Sequence, residues 1–323
     1  MAATTSPRTL QEAIKLYSDL NVCQQALVDA RWPNGVECPH CGSKDVRYLE
    51  NQRRWECKAK PKHPRAQFSV KVGTIFEDSP IGLDKWFVAI WLIASAKNGI
   101  SSYELHRAID VTQKSAWFML HRIRLAMQTK SFLKLSGEVE VDETFIGGRA
   151  RSMDHKNRRL RLKGRESGLA GKSVVMGLLD RHGDGTSQVR TMVVRSTRRR
   201  ELVPQIDQHV EPGATIYTDA LPSYKVLGDG YEHKVVDHAE RYVDGNVHTN
   251  GLENFWALLK RTIRGTYVSV EPFHLFRYLD EQCYRFNTRK QTDGDRFSAM
   301  LTRVVGRRLT YASLTAALEG ERA

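Results

Sequence analysis

The sequence predicts a multidomain chain in which a small metal-held unit and an all-α segment precede an α/β domain. Three observations carry that reading. Cys38, Cys41, Cys57 and His63 have the spacing of a metal knuckle and its partner hairpin. Between residues 82 and 130 apolar side chains recur with the 3.6 period of helices. From Gly137 the period drops to 2, and short alternating runs are then interleaved with helical stretches.

Length and charge set the frame. At 323 residues the chain suits two or three domains. Fifty Lys and Arg stand against 37 Asp and Glu, a net charge of +13. Such an excess concentrates polyanions, which for a soluble chain means nucleic acid. Met1-Ala-Ala-Thr-Thr-Ser-Pro lacks the basic start and apolar core of a secretory signal. The longest apolar run, Trp86 to Ala96, is too short to span a bilayer. Five Cys are odd in number and sparse, so no disulfide framework is expected. The reading is a soluble protein of a reducing compartment with no membrane partner.

Residues 1–30 form an N-terminal helical segment, with amphipathic periodicity from Thr9 onward. Residues 31–80 read as a zinc ribbon. Cys38-Pro-His-Cys41-Gly is a knuckle, Cys57 follows, and tetrahedral Zn²⁺ suits thiolate and imidazole ligands on two facing hairpins. Lys60 stands where a second C-x2-C would place a Cys, so His63 is the best fourth ligand, with His40 as its competitor. Val46–Leu49, Arg54–Cys57 and Gln67–Val70 alternate as short strands. So small a unit folds only with its metal. Cys23 and Cys283 read as core or surface thiols.

Residues 81–133 read as a helix-turn-helix-like helical domain. One apolar helix ends at Asn98-Gly99, Ser101 or Ser102 caps a second through Ile109, and a third covers Gln113 to Met127. Lys114, Arg122 and Arg124 stud that third helix, which could enter a major groove or serve as plain scaffold.

Residues 134–290 carry the α/β domain. Glu138, Glu140 and Asp142 share one strand face, and further strands are expected at 173–179, 188–195 and 214–218, with a helix at 199–209. Meandering strands followed by helix and strand alternation predict an α/β sheet of the ribonuclease H-like type, whose ligands gather at strand ends near the switch in order. Asp142 lies on the first strand and Asp219 at the end of a later one, 77 residues on. Glu253 comes 34 residues after that, on a helix from Asn250 whose buried face is Leu252, Phe255, Trp256, Leu259 and Ile263. Asn250 fits an N-cap and Glu253 its capping-box partner, so Glu253 either closes the helix start or serves a site. Lys260 points the same way, about 10 Å further along the axis. Three converging carboxylates repel one another, and divalent metal removes that cost; Mg²⁺ suits such hard oxygens. Two such ions clamp the attacking and leaving oxygens of a phosphoryl displacement.

Five motifs in this order carry a resemblance: Cys-Pro-His-Cys-Gly, Gln-Phe-Ser-Val-Lys-Val-Gly-Thr-Ile-Phe-Glu-Asp-Ser (67–79), Val-Asp-Glu-Thr-Phe-Ile-Gly-Gly (141–148), Tyr-Thr-Asp-Ala (217–220) and the run from His248 to Arg261. Together they resemble bacterial insertion-sequence DDE transposases with an N-terminal zinc ribbon, the ISXO2-like group, over roughly residues 30 to 290. The resemblance implies Asp142, Asp219 and Glu253 as the Mg²⁺ (or Mn²⁺) triad, with Lys260 as the basic residue on the same helix. It also implies cleavage of terminal inverted repeats and strand transfer into target DNA, by a homodimer on double-stranded DNA in the bacterial cytoplasm at the nucleoid. Glu140, Glu143, Asp180 and Asp244 are spare acids.

Two basic stretches bear on partners. Residues 149–172 hold nine Lys or Arg against two acids, and Arg198-Arg-Arg200 opens a helix. Charge runs are often plain solvated surface; beside a metal site on DNA they favour phosphate contacts. Candidate DNA-binding residues are Arg149, Arg151, Arg158, Arg159, Lys114, Arg122 and Arg264. Residues 291–323 read as a basic C-terminal tail. Two competing functions remain open, an inactive transposase-derived DNA-binding regulator and a structure-selective DNA nuclease.

Overall fold

The computed structural model describes residues 7–60, 63–129, 133–147, 171–181, 186–236 and 249–316. The chain divides into two units, Met1–Met127 together with Lys290–Ala323, and Gln128–Arg289.

In the first unit, the amphipathic stretch expected near residues 9–30 is two helices, α1 (Leu10–Leu16) and α2 (Leu20–Arg31). Asp19 breaks them apart, because its side chain accepts from the Asn21 amide and starts α2 afresh. Three antiparallel strands follow: β1 (Val46–Leu49), β2 (Arg54–Cys57) and β3 (Gln67–Phe68). Trp55 pairs with Phe68 across the ladder and stacks on it, with Trp32 closing the aromatic cluster edge-on.

Helices α3 (Leu83–Ser95), α4 (Ser102–Ile109) and α5 (Gln113–Met127) come next. Ser101 and Glu104 form a reciprocal capping box at α4. α5 buries most of its surface, including Arg122 and Arg124. Arg122 does not face a groove as expected. It donates to the carbonyls of Ile75, Glu77 and Leu309 and lies over the Phe118 ring. The periodicity that seemed to present a basic face instead aimed this guanidinium at backbone oxygens left over by neighbouring turns.

The expected basic tail is a further correction. Helix α9 (Asp293–Arg303; α6 to α8 lie in the second unit) is capped by Thr292 and packs against α2, α3 and α5. Its Phe297 is fully buried among Tyr17, Phe87 and Trp91. Beyond it Val304 accepts from the Ile75 amide, and the short helix α10 (Tyr311–Thr315) follows.

The second unit is built on a five-stranded sheet. Its strands are β4 (Glu138–Ile146), β5 (Ser173–Asp180), β6 (Gln188–Val194), β7 (Thr215–Asp219) and β8 (Glu232–Val236), in the spatial order β6-β5-β4-β7-β8. β4, β5 and β6 pair antiparallel, whereas β7 joins β4, and β8 joins β7, in parallel. One face carries Val139, Val141, Met176 and Leu178 under helix α6 (Arg199–His209), through Leu202 and Ile206. The other face carries Ile146, Val175 and Leu179 under α7 (Asn250–Thr262) and α8 (Leu275–Asn287). Gly177 lets α7 lie close, since a Cβ there would sit 2.6 Å from the Trp256 ring.

Candidate functional site

The sequence-expected zinc ligands meet in the first unit. Cys38, Cys41, Cys57 and His63 bring one ligand atom each within 4.8 Å of one another, and among the described residues this is the one such group of His, Cys, Asp and Glu. Cys38 Sγ lies 3.3 Å from His63 Nε2, and Cys41 Sγ 3.6 Å from Cys57 Sγ. Ligands about 2.3 Å from a tetrahedral ion stand about 3.8 Å apart, so the set fits Zn²⁺. The knuckle is shaped by its own backbone: Gly42, at φ 74°, donates to the Cys38 carbonyl, and the Cys38 amide donates to Ser43. Cys57 ends β2. His40 is exposed, its ring 5.6 Å from that of His63, and it stays outside the set.

The acids gather in the second unit, and the register of the sheet explains how. In the parallel pair of β4 and β7, Glu138 faces Thr215 and Glu140 faces Tyr217, a constant offset of 77 residues. Asp142 and Asp219 have that same offset, so they stand level on neighbouring strands just past the last residues that β4 and β7 pair, Asp219 at the end of β7 and Asp142 midway along β4. This is the place where strand order reverses, the usual ligand crevice of an open α/β sheet.

Even-numbered β4 residues face α7, and the Trp256 indole N–H of that helix donates to Asp142 Oδ2 at 2.9 Å. Oδ1 accepts from the Glu143 amide, and Asp219 Oδ1 accepts from that of Leu221. Among the described residues each Asp142 oxygen accepts one hydrogen bond, which leaves it one acceptor site for a cation. Burial pushes the Asp142 carboxyl up to about 6; its two hydrogen bonds oppose this, and the charges of Asp219 and Glu253 add to it. Glu143 turns to the opposite face, where the Tyr224 hydroxyl donates to it. Burial first, then Asp142 and Asp219, push it up to about 8. Negative charge is thus crowded where a divalent cation would relieve it, and hard oxygens suit Mg²⁺.

Glu140 has a part that its sequence position alone did not convey. It is 1% exposed, and its Oε2 accepts from the Leu252 amide in the first turn of α7, at 2.9 Å. Its Oε1 accepts from Arg181 at 2.9 Å, and that guanidinium lies over the Tyr217 ring. Two carboxylates on one face of β4 therefore hold α7: Glu140 at its start, Asp142 one turn on. The expected capping box of Asn250 with Glu253 does not form. The cap is Thr249, with no side-chain bond, because the strand supplies the acceptor instead. Gly251 leaves the needed space, since a Cβ there would be 2.9 Å from Glu140 Oε2. The visible signal was the alternation Glu138, Glu140, Asp142, together with Arg181 just beyond the paired strand.

Glu253 and Lys260 are both half-buried on α7, and Arg264 is exposed in the π-turn Ile263–Tyr267 that follows. Lys114 is exposed, its Nζ 4.7 Å over the Tyr311 ring. Arg149, Arg151, Arg158 and Arg159 lie outside the described residues, as does Asp244. No described helix is long and apolar enough to cross a membrane.

A Cys₃His ribbon unit joined to a mixed α/β domain with acids level on two adjoining parallel strands is the build of a transposase. Residues 134–287 match the ISXO2-like transposase domain, and residues 19–59 match the transposase zinc-ribbon domain. The chain belongs to the family of ISXO2-like transposases. It is 28% identical over 258 residues to an uncharacterized protein in transposable element ISH50 of Halobacterium salinarum, covering 77% of this chain and 84% of that protein. Over 101 residues it is 32% identical to an uncharacterized transposase-like protein of Haemophilus influenzae, covering 31% of this chain and 81% of that one.

Proposed function

We propose that the second unit is a ribonuclease H-like catalytic domain that cuts and joins DNA at the ends of an insertion sequence, with Asp142, Asp219 and Glu253 as its metal-holding triad. The observation that carries this reading is the level placement of Asp142 and Asp219 on adjacent parallel strands, with the charge of Glu253 felt at Asp142. The order of three antiparallel strands followed by two parallel ones supports the fold assignment.

Mg²⁺ or Mn²⁺, when bound, supplies Lewis-acid activation of the attacking oxygen and charge neutralisation on the leaving one. The residues of the chain do the rest. Asp142, Asp219 and Glu253 align a water with the terminal phosphodiester; the new P–O bond forms as the P–O3′ bond breaks, freeing a 3′-hydroxyl. That hydroxyl then attacks a phosphodiester of the target, and a target 3′-hydroxyl leaves. Trp256 keeps Asp142 aimed, and Lys260 contacts a phosphate about 10 Å along α7 from Glu253. Double-stranded DNA, as element end and as target, is the partner, bound by a homodimer. The exposed cations Lys114 and Arg264, and the basic stretch with Arg149, Arg151, Arg158 and Arg159, take part in backbone contacts. Zn²⁺ holds the ribbon and has no part in the chemistry.

Incubating the protein with terminal-repeat DNA, a target plasmid and Mg²⁺ tests the reading. Joined products are expected from the wild type and none from Asp142→Asn, with DNA affinity within about two-fold of the parent, since non-specific binding rests on cations rather than on the acids. Cutting without joining would favour a nuclease, and binding without either a regulator.

A further inference from the structure

Beyond Lys260 the second unit holds a cavity of about 340 Å³ that the cleavage chemistry does not use. Its apolar walls come from Phe145 and Ile146 of β4, from Ile263, and from Val268, Val270 and Leu275 after α7. Gly147 and Gly171 also line it, and a Cβ on Gly147 would sit 2.8 Å from the Gly171 carbonyl. Among the described lining residues Lys260 and Arg264 are the charged ones.

The rim is unusual. After the π-turn, Val268 takes φ 61° and ψ −54°, and the Ser269 amide donates to the Tyr267 carbonyl at 2.6 Å. That is a γ-turn with positive φ, a strained form seldom adopted by a β-branched residue. It is held from below: the Tyr267 hydroxyl donates to the fully buried Glu281, which Arg285 also grips, and the Tyr267 ring packs edge-on against Tyr278. The result is a Val side chain 78% exposed at the mouth of a cavity that joins apolar side chains to two cations. Strain kept in place by buried neighbours, with an apolar tip turned to water, points to a ligand rather than to packing.

We infer that this cavity takes one unstacked nucleotide of the bound DNA, with Val268 as the wedge that parts it from its neighbour. A base is flat and largely apolar and fits the Phe145, Ile263 and Val270 walls, while its phosphate meets Lys260 and Arg264. The inference rests on the transposase reading for its ligand. Lys260 lies about 10 Å along α7 from Glu253, so the unstacked nucleotide sits about three base steps from the phosphodiester under attack.

Affinity of the full-length protein for two fluorescein-labelled duplexes tests it, one blunt and one with about three unpaired nucleotides at its end. Stacking of a single base predicts that the wild type binds the frayed duplex about ten-fold tighter. Ser269→Trp fills the cavity and is expected to bind the two duplexes alike; Val268→Gly removes the wedge, leaves the pocket open, and is expected to keep the preference or enlarge it by weakening binding to the blunt duplex alone. Asp142→Asn is expected to keep the preference while losing cleavage. Equal wild-type affinities, or a preference that survives Ser269→Trp, would overturn the nucleotide pocket. A preference that persists in a wild type unable to cleave in Mg²⁺ would instead leave the pocket standing and remove the enzymatic reading.

Discussion

Glu140 shows how far one residue can act from where sequence places it. Its carboxylate and Arg181 are both buried, with side chains 2% and 9% exposed, and each offsets the charge of the other. Glu140→Leu removes this carboxylate from beside the buried Arg181 and is expected to cost about 3–5 kcal/mol in urea unfolding. Glu140→Leu with Arg181→Leu is expected to cost less than Glu140→Leu alone, and a double variant at least as unstable as the single one would show that the pair is not the unit described. Because the same carboxylate caps α7, Glu140→Gln keeps an acceptor for Leu252 and is expected to retain more cleavage than Glu140→Leu. The alternation of Glu138, Glu140 and Asp142 was legible in the sequence. That one of these acids would serve a helix 112 residues later was not, since its partner is a backbone amide, which no side-chain pattern reveals.

Among the elements, those with strong internal periodicity could be read closely. α5 spans Gln113–Met127 as expected, and β5, β6 and α6 follow the predicted runs to within a residue or two. β8 went unread because Glu232-His-Lys-Val-Val has little apolar alternation; it is a half-exposed edge strand that takes its hydrogen bonds from β7. Arg122 was misassigned for a related reason. Periodicity places a residue on a helix face but cannot say whether that face meets water or unpaired carbonyls. The seating of α7 on the sheet depends on the missing side chain of Gly177, which lies against the rigid Trp256 ring. Gly177→Ala is expected to cost about 1–3 kcal/mol and to push Trp256 away from Asp142. Thermal unfolding should reveal the first effect, and weaker Mg²⁺-dependent cleavage the second; unchanged values in both would mean that α7 tolerates displacement.

At the scale of the whole molecule, the carboxyl-terminal stretch is structural. Only a modest helical pattern is legible there, because the apolar face of α9 makes sense only against Tyr17 after α1 and Phe87 and Trp91 of α3, more than 200 positions earlier. A chain stopped after Arg289 lacks Phe297 and the Val304 carbonyl that Ile75 uses. It is expected to lose protease resistance in residues 7–127 while the sheet of the second unit stays protected. Limited trypsin digestion followed by mass spectrometry reads this directly, and equal protection in both units would refute the dependence.

The chain enters the second unit after Met127 and leaves it at Arg289, so the second unit is an insertion within the first. On the ribosome, the β-sheet with its acids can therefore close while the body that surrounds Trp86 and Phe87 still waits for its last helix. A message cut short near its 3′ end would release a protein with a finished second unit and an unfinished first one, and cellular proteases would meet the open half first.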